Sequence, residues 1–207
     1  MFSSLQEFLY WIIVAVPSIL IASTVHEYAH AYSAYKLGDP TAKAEGRLTL
    51  NPLKHIDPIG ALAMILFRFG WSKPVPINEY NFEKRETYTA ITALAGPLSN
   101  LILAAITGLI NHILNLNPNS LIVFLLYIFA TINISLAIFN LIPIPPLDGH
   151  KIVRALLPKK LRYYWEKLER YSLILILILI LPFSPLQKIS FSFISNLLSY
   201  FLHILGF

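Results

Sequence analysis

His26-Glu27-Tyr28-Ala29-His30 lies inside an apolar run, residues 8 to 35, and its reading decides what kind of chain this is. Residues four apart on an α-helix share a face, so His26 and His30 can both reach one metal ion while Glu27 stands beside it. Zinc lowers the pKa of a water ligand to about 7, and Glu27 is placed to hold that water and take its proton, giving a nucleophile for a carbonyl at neutral pH. With six His and eight Glu in 207 residues, the pattern arises by accident at roughly 0.007 matches per chain, so chance does not account for it. Any one of the three alone reads as an ordinary polar residue on the inner face of a bundle. Together, inside an apolar helix, they read as a site, because ionisable groups at membrane depth are costly.

The composition places that helix in lipid. A chain 56% hydrophobic and 13% charged, with mean hydropathy +0.63, is far from the ~25% charged residues of soluble domains and reads as an all-α polytopic membrane protein. Net charge of +5 does not point to nucleic acid, because Lys and Arg collect in the loops between apolar runs. The absence of Cys excludes a disulfide framework and a thiolate metal site, so a metal here is held by His and carboxylate. The apolar N-terminal run lacks a basic leader and a small-residue cleavage site, and reads as a retained span.

Around the motif, Gly38 and Pro40 end the first span. Residues 36 to 57 read as a basic surface loop, with a short strand expected over Ala44 to Leu50. Ile59 to Phe69 has about half of the roughly twenty residues a spanning helix needs. Pro74 and Pro76 keep Trp71 to Asn78 out of a helix, so this region reads as a re-entrant hairpin or edge strand. Thr87 to Ile113 and Ser120 to Ile142 are the second and third spans, joined by the turn Asn115 to Asn119. Pro143, Pro145 and Pro146 break the third helix ahead of Leu147-Asp148-Gly149-His150, and a basic amphipathic stretch runs from Lys151 to Arg170. Leu173 to Leu181 is expected in a fourth span ending at Pro182 and Pro185; Ile189 to Leu205 either recrosses the membrane or lies along it. The expected fold is a helix bundle, one membrane-embedded domain over 1–207 with no appended soluble domain.

Charge orients the bundle. Lys36, Lys43, Arg47 and Lys54 precede the short apolar segment, Arg68 lies at its end with Lys73, Lys84 and Arg85 after it, and the Lys151 to Arg170 stretch is the most basic of all. The first ten residues and the turn 111–119 carry no Lys or Arg. A re-entrant Ile59–Phe69 puts every basic loop in the cytoplasm, whereas a crossing one sends the most basic loop outside. The N-terminus is therefore expected outside, with His26, His30 and Asp148 near the cytoplasmic face.

A catalytic zinc takes three protein ligands and keeps one open position. Candidates for the third are Asp39, Asp57, Asp148, His55 and His150. Asp148 leads them as the sole acidic residue between Glu86 and Glu166, beside Gly149 at a proline-broken helix end, although an N-cap for the next helix is its ordinary alternative. His55 and Asp57 read as surface or turn residues, His112 and His203 as interfacial ones, and His150 is near enough to contribute.

Taken together, His26-Glu27-x-x-His30, Gly46-Arg47-Leu48-Thr49-Leu50-Asn51-Pro52, Lys73-Pro74-Val75-Pro76, Gly96-Pro97-x-x-Asn100 and Phe139-Asn140-Leu141-Ile142-Pro143-Ile144-Pro145-Pro146-Leu147-Asp148-Gly149 resemble the site-2 protease family of intramembrane zinc metalloproteases. The resemblance implies one Zn²⁺ held by His26, His30 and Asp148, Glu27 as general base, and a substrate site shaped by Asn140 and Pro143. Its substrates are expected to be single-span membrane proteins in the bilayer. An extended edge at Val75 and Ile77 suits binding of an unwound substrate by strand addition. The rival class is a membrane metal-binding or metal-transport protein, which has no need of a base beside its first ligand.

The topology is tested by single cysteines at Asn117 and Lys160, which stand without background in a chain that has no Cys. An impermeant external reagent is expected to label position 117 and spare 160. Equal labelling at positions 78 and 117 would show that residues 59 to 69 cross.

Overall fold

The computed structural model describes residues 4–67, 70–180 and 185–207. Its first element is a helical rod, Leu5–Lys36, made of α1 (Leu5–Tyr10), a π-helical segment at Trp11–Ala15, and α2 (Val16–Lys36). The rod ends where Gly38 takes φ +106 and Asp39 N–H donates to Ala34 O at 2.9 Å, a left-handed stop that glycine adopts without strain.

Residues 36 to 57 depart from the sequence expectation in two respects: His55, read as a surface or turn residue, is buried, and the expected strand is absent. Ala44 to Leu50 does not form a strand, because α3 (Thr41–Ala44) consumes its donors: Glu45 N–H goes to Thr41 O, Gly46 N–H to Lys43 O and Arg47 N–H to Ala42 O. Leu48 instead packs against Ala31, Ala42 and Val75.

The short apolar segment is α4 (Pro58–Phe67), started by Asp57, whose Oδ1 accepts from Gly60 N–H at 2.8 Å. Arg68 and Phe69 lie outside the described residues. The two ends of this excursion are joined: Ile56 and Ser72 form an antiparallel bridge, and Lys73 N–H donates to His55 O at 2.8 Å. The chain therefore leaves and returns on one side, as a hairpin, and the Trp11 indole N–H ties it to the first rod through Met64 O at 3.2 Å. A Cβ on Gly60 would strike Trp71 O, so the close approach of the hairpin's arms requires glycine there.

The returning arm is extended and strapped down by buried charges. Arg47 Nη2 donates to Lys73 O at 2.7 Å and Pro74 O at 3.3 Å. Asp39, fully buried, accepts from Asn78 N–H at 2.8 Å, Asn81 Nδ2 at 2.7 Å, Thr41 N–H at 3.1 Å and the Thr41 hydroxyl. Burial alone would raise the Asp39 carboxyl, but those donors outweigh it and hold it below the ordinary value of 3.8, so the strap stays charged at neutral pH.

Two long helices complete the spanning set: α5 (Arg85–Leu114) and α6 (Leu121–Asn140), close to the expected limits. Among the described residues, these and Leu5–Lys36 are the three helices long and apolar enough to cross a membrane. Twenty helical residues cover about 30 Å, the thickness of the hydrocarbon core. Large apolar side chains such as Ile13, Ile102, Leu109, Ile122 and Phe124 point outward, while Thr92, Asn100 and Asn133 are buried within. This distribution suits lipid outside and hydrogen bonds inside.

After the proline break come α7 (Asp148–Leu156), α8 (Lys159–Glu166), a 3₁₀ segment at Lys167–Tyr171, and α9 (Ser172–Ile180). Arg154 pairs with Glu79 at 2.6 Å and Arg162 with Glu86 at 3.0 Å, fastening this basic stretch to the start of α5. The expected fourth span, Leu173 to Leu181, is helical as α9 through Ile180, and Leu181 lies outside the described residues. Pro182 lies outside the described residues, and the description resumes in α10 (Pro185–Ile204). The run left open between recrossing and surface belongs to the bundle, with Leu202 of α10 in one core with Ala104, Ala130, Ile134 and Ile138.

Candidate metal centre

His26 and His30 occupy successive turns of α2, and α7 begins beside them with Asp148; all three are buried. His26 Nε2 and His30 Nε2 stand 3.0 Å apart, and Asp148 Oδ2 lies 3.2 Å from each. Zinc–nitrogen bonds of about 2.0–2.1 Å put neighbouring donors of a tetrahedral site roughly 3.3 Å apart, so the triangle has the size of one face of such a site. Among the described residues, these three form the cluster of ligand atoms able to hold a metal ion.

The protons settle the sign of what belongs at its centre. His26 Nδ1 lies 2.7 Å from Asn100 Oδ1, and His30 Nδ1 lies 2.7 Å from Thr92 O. Both partners are acceptors, so each imidazole keeps a hydrogen on Nδ1, and the neutral ring aims a lone pair from Nε2 into the triangle. Asp148 Oδ2 is buried and accepts no hydrogen bond. In that state three lone pairs converge with no donor among them, an arrangement that a cation stabilises and that burial otherwise penalises at about 1–3 kcal/mol for each unsatisfied group.

Close packing makes this convergence possible. A Cβ on Gly96 of α5 would collide with His30 Nε2 and the His26 ring, so only glycine lets α5 pass over the two imidazoles. A Cβ on Gly149 would strike Leu141 O and Ile142 O, so glycine also lets α7 start against the end of α6, which aims Asp148 inward. The capping alternative for Asp148 is not realised, since Leu147 is the N-cap of α7 and no side chain caps it.

The other candidate ligands are engaged elsewhere. Asp39 straps the extended arm, Asp57 starts α4, and His55 Nε2 meets Thr49 O at 2.8 Å. His150 turns away from the triangle and stacks on Trp165, rings 5.2 Å apart and nearly parallel at 9°. Burial lowers its pKa below the ordinary 6.5, which favours the neutral ring. His112 and His203 are exposed.

Glu27 is buried next to the triangle, with Oε1 accepting from the Ser72 hydroxyl at 2.8 Å and Oε2 from Val75 N–H at 2.9 Å. His26, His30, Asp148, Glu27, Asn140, Val75 and Ile77 share the wall of one cavity of about 160 Å³. Pro143, expected beside Asn140, is exposed and outside that wall, because the proline break turns it outward; Pro146 lines the cavity in its place. Ser72, Thr92, Glu79 and Lys151 also belong to this neighbourhood and were not expected from the sequence. Thr92 acts through its carbonyl, which leaves no trace in residue identity. Lys151 stands one helical turn after Asp148, a spacing that could have flagged it.

Comparison with known proteins is consistent with this geometry. Residues 108–182 match the model of Peptidase family M50. YwhC of Bacillus subtilis (strain 168), whose name marks it as a candidate zinc metalloprotease, is 38% identical over 186 residues, 84% of this chain and 85% of its own length. The chain belongs to peptidase family M50. Zinc metalloprotease MJ0392 of Methanocaldococcus jannaschii is 30% identical over 161 residues, 78% of this chain but 39% of its own longer one. No solved structure matches. This M50 member is thus a metalloprotease of the family that its motifs resemble, and the His–His–Asp donor set fits that family's zinc.

Asp148→Asn separates a ligand from a cap. A lost cap typically costs about 1 kcal/mol and Asn caps as well as Asp, whereas a lost anionic ligand lowers zinc affinity by more than about tenfold. Zinc content and chelator resistance in detergent are expected to fall in Asp148→Asn and to hold in Asp57→Asn and His150→Ala. Full retention in the first with loss in either other would move the third ligand.

Proposed function

We propose that this M50 member is an intramembrane zinc endopeptidase that hydrolyses peptide bonds of membrane-spanning substrates near the cytoplasmic face. His26, His30 and Asp148 are the ligands and Glu27 is the general base. The observation that carries this reading is the 2.9 Å hydrogen bond joining Glu27 to Val75, since it couples a carboxylate beside the metal triangle to an extended backbone edge.

Zinc, when bound, supplies Lewis acidity that brings the pKa of water to about 7 and polarises a carbonyl. Each Glu27 oxygen accepts one bond from the protein and keeps a lone pair for a reactant. Glu27 takes the proton of the attacking water onto one oxygen and hands it to the nitrogen of the leaving amine. The bonds from Ser72 and Val75 hold the carboxylate still for both transfers.

The same edge receives the substrate. Val75 N–H is held by Glu27, so pairing with substrate falls to the Val75 carbonyl and to the backbone groups of Ile77, while both side chains pack into the cluster of Ala31, Ala42 and Leu48. A helix hides its carbonyls in i to i−4 hydrogen bonds, so a substrate is unwound before its carbonyl is attacked. Asn140 donates one amide hydrogen to Leu136 O at 2.9 Å, leaving its carbonyl and second hydrogen for substrate backbone or the developing oxyanion. Pro143 acts indirectly, by ending the third span so that the chain turns toward Asp148.

Glu27→Gln keeps the size and hydrogen-bonding reach of the side chain and removes its basicity. Purified variant is expected to retain near-stoichiometric zinc while cleavage of a library of single-span substrates drops by about 10²-fold or more. Near-normal turnover would show that another group is the base.

A further inference from the structure

We propose that Asn133 of α6 is a positioning residue of the metal centre: acting through Asn100, it fixes the tautomer in which His26 presents a lone pair to the metal. The proposal rests on the reading of His26 as a ligand. Asn133 has no exposed surface, and neither does Asn100.

The orientation of each amide follows from the one before it. Asn133 Nδ2 donates to Phe129 O at 2.9 Å, in its own helix, so Oδ1 is the end that faces α5. Asn100 Nδ2 donates to that oxygen at 2.9 Å and to Ala22 O of α2 at 3.0 Å. Both amide hydrogens of Asn100 are thereby placed on acceptors, and its Oδ1 is left to face His26 Nδ1 at 2.7 Å. An oxygen there demands a hydrogen from Nδ1, and the proton-free lone pair falls on Nε2.

The opposite state is expensive. Rotating the Asn100 amide would set its oxygen against Ala22 O and Asn133 Oδ1, two acceptor–acceptor contacts between groups with no exposed surface at either amide. Without Asn133 only the Ala22 contact opposes that rotation. His26 would then share its hydrogen between Nδ1 and Nε2, and every molecule with Nε2–H would have to change tautomer before it could bind a metal. A buried Asn in a membrane helix also serves as a simple tie between helices, and that alternative leaves the imidazole unaffected.

The test uses the full-length protein in detergent, with ring-¹⁵N histidine and His26 assigned by its loss in His26→Ala. In metal-free protein, His26 is expected as Nδ1–H. Asn133→Leu, which fills the space without an acceptor, is expected to give a mixed or Nε2–H signal and to weaken zinc binding by about 10–100-fold in chelator competition, the usual effect of losing such a support. Asn133→Asp accepts from Asn100 in either protonation state and is expected to restore both readouts to within about threefold of wild type. Should the leucine variant fail to fold, Asn133→Ala also lacks the acceptor and takes its place. An unchanged tautomer with zinc affinity within twofold in the acceptor-free variant overturns the proposal, as does loss of the Nδ1–H state in Asn133→Asp. Because tautomer and affinity are read without substrate, a protein that binds zinc but cleaves nothing would refute the protease reading and leave this one standing.

Discussion

Two imidazole nitrogens 3.0 Å apart and a carboxylate oxygen 3.2 Å from both, none with a proton to share, repel one another unless a cation lies among them. The rest of the molecule is arranged to hold that convergence. The Thr92 carbonyl and the Asn100 amide take the Nδ1 hydrogens, Gly96 clears the space beside the rings, and Gly149 admits the start of α7. Structural zinc sites return about 10 kcal/mol or more on binding, well above the few kcal/mol that three unpartnered groups cost. The centre is therefore preorganised at a cost that its metal offsets.

A second constraint comes from lipid. Apolar side chains lie outside, and each polar group within must find a partner in the protein. The extended arm that runs past Glu27 meets this demand through Arg47, Asp39 and Glu27, which bind its backbone at Lys73, Pro74, Val75 and Asn78. Non-helical backbone beside the metal triangle is stable because it is strapped at these points. The hairpin bridge at Ile56 and Ser72 adds the last tie and returns the chain to the side from which it left.

Much of this was legible in the residues. The four-residue spacing of His26 and His30, the prolines that end the third span, and the shortness of the apolar segment after Asp57 each follow from a rule with one outcome. Elements that depend on tertiary partners were not legible. Ala44 to Leu50 has a strand-like pattern, yet the C-terminal turn of α3 uses its donors. His150 sits two residues from Asp148 and reads as a neighbour of the site, yet the turn of α7 sends it to Trp165. The Thr92 carbonyl carries no side-chain signal at all. Asn133 did carry one, as a strongly polar residue inside an apolar span, but its two-step link to His26 exists only once three helices are packed.

X-ray absorption at the zinc edge of the purified, zinc-loaded chain tests the central claim most directly. The expected result is one zinc with nitrogen and oxygen neighbours at about 2.0–2.1 Å and multiple scattering from two imidazoles, falling to one in His30→Ala. An oxygen-only shell, or two imidazoles that persist in His30→Ala, would contradict a centre built on His26, His30 and Asp148.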